Sequence, residues 1–582
     1  MPNSKSKLLH KIPAWAWLSQ YNSIKFKSDA LAAFIVVAML VPQGMAYAML
    51  AGLPPMMGLY ASILPMIIYA LLGGSSTLSI GPVAIISMMT FATLNPLFEV
   101  GSAAYIEAAT LLALLVGIIS LLLGLLRFGF LIQLISHPVI HSFIIASALL
   151  IALGQFKFLV DLPLKANNIP ELALSLWEYL PRLHLPSLIF GICALLILIY
   201  LPKILKSQRI QSLIGSTDFL VRAVPLILVC LGITAVVFLD LKLQGIQTVG
   251  EIPSGFPPLS FPHWNGDLVI SLLPGAAMIA MISFVESLSI AQATALQQRS
   301  NLNSNQELIA LGVANISAGI SSAFPVTGSL SRTVVNADAG AKSPMAGVLS
   351  SLSLIIVSLF FTSFFEDLPL TILAATIIVS IWKLVDFQPF VDAWRYSKAD
   401  GIAMWITFFS VVLIDISAGL LIGIVSTFAL MLWRISRPHI AVLGLVEGTQ
   451  HFRNIQRHQT RTSERVLSLR IDENLTFLNA NSFKGYLINQ LSHNDQLQHV
   501  ILNCSSISAI DLSALEMLEE LNAELAKLNI RLHFAEVKGP VMDRLHTSKL
   551  LTYLSGQIYL THFQAIQDLA PEIFEAPKED NL

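Results

Sequence analysis

From Ala30 to Phe98 the chain runs sixty-nine residues without an Asp, Glu, Lys, Arg or His. Three bilayer crossings fit in that length at about 20 residues each. Val41-Pro-Gln-Gly44 and Ser79-Ile-Gly-Pro82 interrupt the apolar runs from within rather than between them. Lipid tolerates broken helices only where the freed backbone is buried in protein or lines a cavity. In carriers such breaks build the substrate site near the midplane. This N-terminal stretch therefore points to a carrier rather than a receptor anchor.

Composition agrees. Hydrophobic residues make up 55% of the 582 residues and charged residues 12%, against about 25% charged in an ordinary soluble protein. A multi-span membrane protein follows, and a formal net charge of −2 excludes a generally basic nucleic-acid binder. Lys5, Lys7, Lys11, Lys25 and Lys27 precede the first acid, Asp29. No short apolar region with a small-residue cleavage site is present there, so the positive-inside rule keeps this end in the cytoplasm. Cys193, Cys230 and Cys504 are scattered and form no disulfide framework or metal cluster.

Charge is unevenly placed: 29 of the 70 charged residues follow Pro438. The shift predicts a cytoplasmic N-terminal segment at 1–28, a transmembrane transport domain at 29–437, a linker at 438–464, a soluble domain at 465–570 and a tail at 571–582. Segments suited to spanning lie near 30–51, 57–73, 81–95, 104–126, 131–155, 186–204, 221–240, 268–294, 306–323, 329–339, 345–365, 368–385, 401–416 and 418–435. Threaded from a cytoplasmic start, Arg127, Lys203, Lys206, Arg209, Arg299, Lys342, Arg395, Lys398, Arg434 and Arg437 come out inside. Glu99, Asp240, Glu251, Glu366 and Asp367 come out outside, and Lys157 and Lys165 are the exceptions. An even number of spans with both termini cytoplasmic is expected.

Two of the fourteen segments are short. Ser75-Ser-Thr-Leu-Ser-Ile-Gly-Pro82 leads into the third, and Phe324-Pro-Val-Thr-Gly-Ser-Leu-Ser-Arg332 leads into the tenth. They hold equivalent places in two sets of seven, the pattern of an inverted repeat. With seven segments per half, the second half enters the membrane oppositely, and the two half-helix N-termini can face one another. Two unrelated Gly/Pro kinks are the bland alternative. After Pro438 the periodicity changes. Strands are expected at 466–471, 499–504 and 530–535, with helices at 478–491 and 513–528, which together make a small α/β domain.

Several stretches match a family pattern. Pro55-Met-Met-Gly-Leu-Tyr-Ala-Ser62, continuing through Tyr69 to Gly73-Gly-Ser-Ser76, resembles the signature of the sulfate permease (SulP) anion transporters; Met57 and Ser76 depart from it. Val41-Pro-Gln-Gly-Met-Ala-Tyr47, Ser79-Ile-Gly-Pro-Val-Ala84, Ser136-His-Pro-Val139 and Ser329-Leu-Ser-Arg-Thr333 look like the same family. Asp511-Leu-Ser-Ala-Leu515, after a strand, resembles the STAS domain these carriers bear. The resemblance covers about residues 25 to 565. It implies a 7+7 inverted repeat divided into core and gate domains, a homodimer, and alternating access by movement of core against gate.

The expected site follows from both lines. Two converging helix N-termini present unpaired N–H groups and the positive ends of two dipoles, which hold an anion without a full positive charge. Gly81, Pro82, Val83 and Ala84 would supply one end, with Pro82 fitting the first helical turn. Gly328, Ser329, Leu330 and Ser331 would supply the other, the serines adding hydroxyl donors. Gln43 and Tyr47, four apart, share a helix face that the family places against the substrate; capping of the Pro42 kink and packing between helices are the alternatives.

Arg332 is the only cation between Arg299 and Lys342, and an Arg at membrane depth is functional by default. The family's equivalent Arg lies beside the anion; a structural ion pair with Glu286 is the alternative. Glu286 is the only ionisable residue between Asp267 and Arg299. A buried carboxylate beside a bound anion is a pair of like charges, and a proton taken up with the anion offsets the repulsion, coupling H+ to substrate. Family members proposed to symport protons have a Glu here. Sodium–bicarbonate relatives have an Asp here and a Thr four residues on, where this chain has Ile290.

The expected function is proton-coupled sulfate uptake by a secondary active transporter in the inner membrane. Anion exchange, sodium-coupled bicarbonate transport and dicarboxylate transport are the alternatives within the fold, and an anion-binding membrane sensor is the alternative from another class. No enzyme activity and no cofactor are expected, and no nucleotide-cradling Gly loop supports ATP-driven pumping. His137 and His141 have metal-ligand spacing without a third ligand, so packing or gating is favoured over a metal. Ser513 corresponds to the serine phosphorylated in related anti-sigma-factor antagonists; it is also a preferred N-cap residue. A cytoplasmic protein partner of the STAS domain is a further expectation.

Overall fold

A computed structural model describes residues 13–19, 21–130, 136–164, 168–208, 218–251, 254–297, 302–382 and 385–574. Lys5, Lys7, Lys11, Lys165, Arg209 and Arg299, which enter the sidedness expectation, lie outside the described residues, as does the tail from residue 575. The chain divides into two compact units, the first ending at Thr427 and the second beginning at Phe428.

Each expected span carries a helix: α1 (Ser23–Leu50), α2 (Pro55–Leu72), α3 (Ala84–Leu94), α4 (Ala103–Leu125), α5 (His137–Gly154), α6 (Leu185–Leu205), α7 (Asp218–Phe238), α8 (Gly266–Gln297), α9 (Ser304–Ile320), α10 (Leu330–Asp338), α11 (Met345–Phe360), α12 (Leu370–Trp382), α13 (Lys398–Leu413) and α14 (Ile416–Ser436). Local chemistry sets several starts. Asn22 caps α1 by accepting from the Lys25 amide at 2.9 Å, Ser102 accepts from Tyr105, and Asn303 accepts from the Asn305 and Gln306 amides, each satisfying an orphan donor of a first turn.

One expected break is absent and another is present instead. Pro42 lies inside a continuous 28-residue α1, where it removes one backbone bond without ending the helix. The interruption falls in α2, between Tyr60 and Leu64. Pro65 stands in the first turn of the second piece, and its ring cannot coexist with the helical carbonyl of Ala61 four residues back. Short helices at Phe156–Val160, Ile169–Tyr179 and Gln388–Tyr396 add to the expected set.

The packing repeats with exchange of halves. α4 packs on α8 and α9, and α11, seven helices on, packs on α1 and α2. Likewise α5 packs on α13 and α12 on α6, while α3 packs on α8 and α10 on α1. Each pair maps onto the other when seven is added or subtracted, which is the 7+7 inverted repeat in contact form. α4 and α9 meet through small residues. A Cβ on Gly117 would lie 2.5 Å from the Ile316 nitrogen, and one on Gly312 would lie 2.5 Å from the Leu121 nitrogen. In lipid, where apolar burial gives no drive for association, such close backbone approach supplies the dispersion contact.

The second unit holds a six-stranded sheet built from β3 (Ile440–Leu445), β4 (Phe452–Asn454), β5 (Val466–Ile471), β6 (His499–Asn503), β7 (Arg531–Ala535) and β8 (Ile558–Tyr559), in the order β4-β3-β5-β6-β7-β8. β5 to β8 run parallel, and β3 is antiparallel to both neighbours. The stretch 438–464, expected as a linker, therefore contributes two strands to the sheet. The charge shift placed the boundary there, but the apolar run Ile440-Ala-Val-Leu-Gly-Leu445 pairs with β5 through Ile440, Ala441 and Val442 and with β4 through Leu443, Gly444 and Leu445. Helices α15 (Ala480–Leu491), α16 (Leu512–Lys527) and α17 (Gly539–His546) follow the parallel strands, and α18 (His562–Leu569) ends the unit. Leu467, Leu469, Val500, Leu502, Leu532 and Phe534 face one core, and Val466, Ile501 and Ala535 face another shared with Ala565 and Ile566 of α18. Burial on both faces is what parallel strands require.

Candidate functional site

The two Gly/Ser/Pro-rich leads meet. Two further strands, β1 (Ile80–Gly81) and β2 (Thr327–Gly328), pair antiparallel, with Ile80 opposite Gly328 and Gly81 opposite Thr327. The Ser329 amide donates to the Ser79 carbonyl at 2.9 Å. Because the strands are antiparallel and each runs directly into a half-helix, α3 and α10 leave this junction in opposite directions with their N-termini beside it.

The two ends are finished differently. α3 begins at Ala84 with Val83 as its extended N-cap residue and no side-chain cap. Pro82 therefore lies just outside the helix rather than in its first turn, because the backbone stays extended through Val83. The first-turn donors of α3 are left without a capping side chain. α10 is capped by Ser329, whose hydroxyl accepts from the Arg332 amide at 3.5 Å and lies 3.4 Å from the Ser331 hydroxyl. Leu330 and Ser331 are exposed.

Arg332 is completely buried. Its Nη1 donates to the Pro82 carbonyl at 2.9 Å, so the cation on α10 is held against the entry of α3, while Nε and Nη2 have no partner among the described residues. Gly81, at φ +156°, makes room for it: a Cβ there would stand 3.1 Å from Nη2 and 3.1 Å from the Ser62 hydroxyl.

Gln43, buried on α1, has an unpartnered Oε1, and Glu286, on α8, has an unpartnered Oε2. Tyr47, also buried, lies close enough to Arg332 and Glu286 to interact electrostatically with both. No ion pair between Glu286 and Arg332 forms among the described residues. The hydroxyls of Ser79, Ser87 and Ser283 are likewise buried without partners. α1 packs on α3 and α10, and α8 packs on α3 and β2, so these groups belong to helices around one junction. Buried polar groups are almost always hydrogen-bonded; a group of unsatisfied ones among paired backbones marks a place for a polar guest.

The frame around the junction uses residues that sequence reasoning missed. Ser287 Oγ accepts from the Gly328 amide at 2.8 Å and lies 2.8 Å from Thr327 Oγ1, which donates to the Ser283 carbonyl at 2.9 Å. Thr333 and Asn336 of α10 hold the approach to β1, through the Ser79 amide and the Thr77 carbonyl. Asn315 holds both the amide and the carbonyl of Val326. Glu307, fully buried, accepts from Tyr69 Oη at 2.6 Å and from the Gly74 amide at 2.7 Å. Asp29, equally buried, accepts from the Lys342 and Ser343 amides and from the Ser343 hydroxyl. A signal for these two was available: Glu307 is the one charged residue of α9, and Asp29 is the one acid of α1.

The remaining expected residues lie elsewhere. His137 and His141 are exposed at the start of α5. Ser513 is exposed in the first turn of α16, and the N-cap there is Asp511, whose Oδ1 accepts from the Ala514 amide at 2.9 Å. Capping is thus not the role of Ser513. Asp511 Oδ2 also accepts from the Phe477 amide.

Residues 26–407 match the model of the sulfate permease family and residues 457–565 that of the STAS domain. The chain is 37% identical over 534 residues to sulfate transporter 4.1, chloroplastic, of Arabidopsis thaliana, covering 89% of this chain and 76% of that one. It is 30% identical over 585 residues to high affinity sulfate transporter 1 of Stylosanthes hamata, covering 97% and 87%. Its fold resembles that of the murine solute carrier 26 family member A9 anion transporter in the inward-facing state, with a TM-score of 0.87 at 23% identity over 97% of this chain and 95% of that one.

Proposed function

The chain belongs to the sulfate permease family of anion transporters, and from that premise we propose that it carries sulfate together with protons across the inner membrane by alternating access. The anion sits between the N-terminal ends of α3 and α10. One observation carries this reading: a charged guanidinium with two unpartnered nitrogens, an amide and a carboxyl, all buried, gather around an uncapped helix N-terminus. Helix N-termini are ready-made anion sites, and Arg332 adds a full charge beside them.

Gly81, Pro82, Val83 and Ala84 form one wall of the site; Gly328, Ser329, Leu330, Ser331 and Arg332 form the other. Gln43 and Tyr47 complete it from α1. Glu286 takes a proton when the anion enters, which removes the repulsion between carboxylate and oxyanion, and gives it up when the anion leaves. Ile290 is buried and aliphatic, so the hydroxyl that a sodium site would use is missing. The transport unit works as a homodimer with both termini cytoplasmic, and the STAS domain carries Ser513 on an exposed turn where a phosphate or a protein partner can reach it.

The test is flux. Purified protein in proteoliposomes should accumulate labelled sulfate under an inward proton gradient. Glu286→Gln should transport without pH dependence while remaining folded. Uptake driven by a sodium gradient, counter-flow without proton coupling, or a preference for succinate or bicarbonate over sulfate would overturn the proton–sulfate assignment. Anion binding without any flux would make the protein a sensor.

A further inference from the structure

We propose that a second anion site, an access site on the route to the central one, lies in the cavity beside Lys157; this rests on the transport reading above. The cavity encloses about 610 Å3. Its lining comes from the end of α1, the face of α3 from Met88 to the following Asn95, Gln155 at the end of α5, and the short helix bearing Lys157, together with Glu171 and Asp415. At ~30 Å3 per water it accommodates a small oxyanion with much of its hydration.

Lys157 is half-buried, and its ammonium meets only the ring of Phe158, 4.7 Å away. It makes no ion pair or hydrogen bond among the described residues. Both carboxylates of the cavity stand at helix starts. Asp415 Oδ1 accepts from the Ala418 amide at 2.9 Å, in the first turn of α14. Glu171 stands in the first turn of the helix Ile169–Tyr179, where the dipole favours a negative charge. Neither carboxylate pairs with Lys157, so the ammonium stands without a counter-ion among the described residues. An ammonium withdrawn from water without a counter-ion is costly. Gln155, 2% exposed, has an Oε1 without a partner. A hydrated anion satisfies both, placing its charge at Lys157 and a water donor at Gln155.

The position fits a staging post. Met88 is four residues beyond Ala84, so the cavity comes within ~6 Å, along the helix axis, of the uncapped end of α3. Met49, two residues after Tyr47, lines the same space. A cation at such a mouth raises the local anion concentration. It acts on capture rather than on the conformational step.

The experiment uses the full chain in oriented proteoliposomes, with labelled sulfate offered separately from each face. Lys157→Gln should raise KM roughly five- to tenfold, a difference of about one decade in affinity at most, for sulfate offered on the face where α1 ends. Vmax, and KM from the other face, should hold. Lys157→Arg should restore most of the affinity, and Glu171→Gln should lower KM or leave it unchanged. An unchanged KM in Lys157→Gln, or equal losses in Lys157→Gln and Glu171→Gln with no further loss in the double variant, would overturn the proposal; the latter pattern belongs to an ion pair that closes the cavity. A second measurement is independent of flux. Sulfate should protect Lys157 of the wild-type protein from an amine acetylating reagent, read by mass spectrometry, and absence of protection counts against the site even if transport proves to be of another anion.

Discussion

Arg332 Nη1 lies 2.9 Å from the carbonyl of Pro82, 250 residues away in sequence, so the charged head of one half-helix is bonded to the threshold of the other. The two halves of the repeat are thereby joined at the point where an anion would sit. The remaining two nitrogens of the guanidinium stay unpaired, which leaves a directed positive field at the junction without neutralising it.

Replacing Arg332 tests both duties. Arg332→Gln removes the charge and should raise KM for the anion by tenfold or more, since a charge-assisted hydrogen bond contributes about 1.5–3 kcal/mol. Arg332→Lys keeps the charge but loses the fork geometry. It should recover part of the affinity and little of the thermal stability that the bond to Pro82 contributes. Uptake kinetics and melting of the detergent-solubilised protein separate the two.

Gly81→Ala should be damaging although it adds a single methyl group. The backbone sits at φ +156°, and the new Cβ would meet Arg332 Nη2 and Ser62 Oγ at 3.1 Å. The guanidinium must shift to relieve the contact. The expected outcome is a folded protein with a raised KM, visible as normal monodispersity and thermal melting within a few degrees of wild type. A wild-type KM would mean that Arg332 need not hold its position against α3.

Much of this was legible beforehand because membrane spans are written in long apolar runs. All fourteen helices fall where the runs are, and the two short ones follow the Gly/Ser/Pro leads that mark half-helices. What was not legible is the polar framework. Ser287, Thr333, Asn336 and Asn315 look like ordinary small or polar residues in helices, and only the folded chain brings their side chains to the backbone in and beside β1 and β2. Pro42 and Pro65 show the same limit. Both break the hydrogen-bond ladder on paper, yet only Pro65 divides its helix. At 438–464 the charge shift hid two strands: β3 is as long as β5 but directly follows the last apolar span, and β4 has only three residues.

Glu307 offers a stability test distinct from the anion site. Its carboxylate binds Tyr69 Oη and the Gly74 amide, tying the start of the lead into α3 to α9. Glu307→Ala leaves the Tyr69 hydroxyl buried and unpaired, at about 1–3 kcal/mol, while the amide of the exposed Gly74 can turn to water at lower cost. The variant should lose several degrees of melting temperature and transport rate together. Tyr69→Phe removes the hydroxyl together with its need for a partner and keeps the bond to Gly74, so it should cost less than Glu307→Ala. Melting of the two variants and the double variant, which should be little worse than Glu307→Ala alone, measures the coupling.

The C-terminal unit carries its own pH dependence. His533 is buried on β7, accepts at Nδ1 from the Gln557 amide at 3.0 Å, and shares a hydrogen bond of 3.1 Å with His499 Nδ1 through Nε2. Burial first, then the neighbouring His499 and Arg531, pushes it down to about 4. His562, buried at the head of α18 with Nε2 3.1 Å from Ser468 Oγ, is pushed down to about 4 by burial. Both are held neutral by folding, whereas in an unfolded chain they take up protons near the ordinary value of 6.5. Stability from these two is therefore complete above about 6.5 and is lost progressively as pH falls toward 4, at ~1.4 kcal/mol per unit of displacement for each group. Protonating His533 would also turn its acceptor toward the Gln557 amide into a donor, forcing β7 and the Gln557 segment apart. Hydrogen exchange of the full chain, corrected for intrinsic rates, should show β7 and α18 losing protection between pH 6.5 and 4.5 while α4 and α9 hold. His533→Gln, which cannot take up the proton, should flatten that loss on β7, and an unchanged pH profile in that variant would remove His533 as its cause.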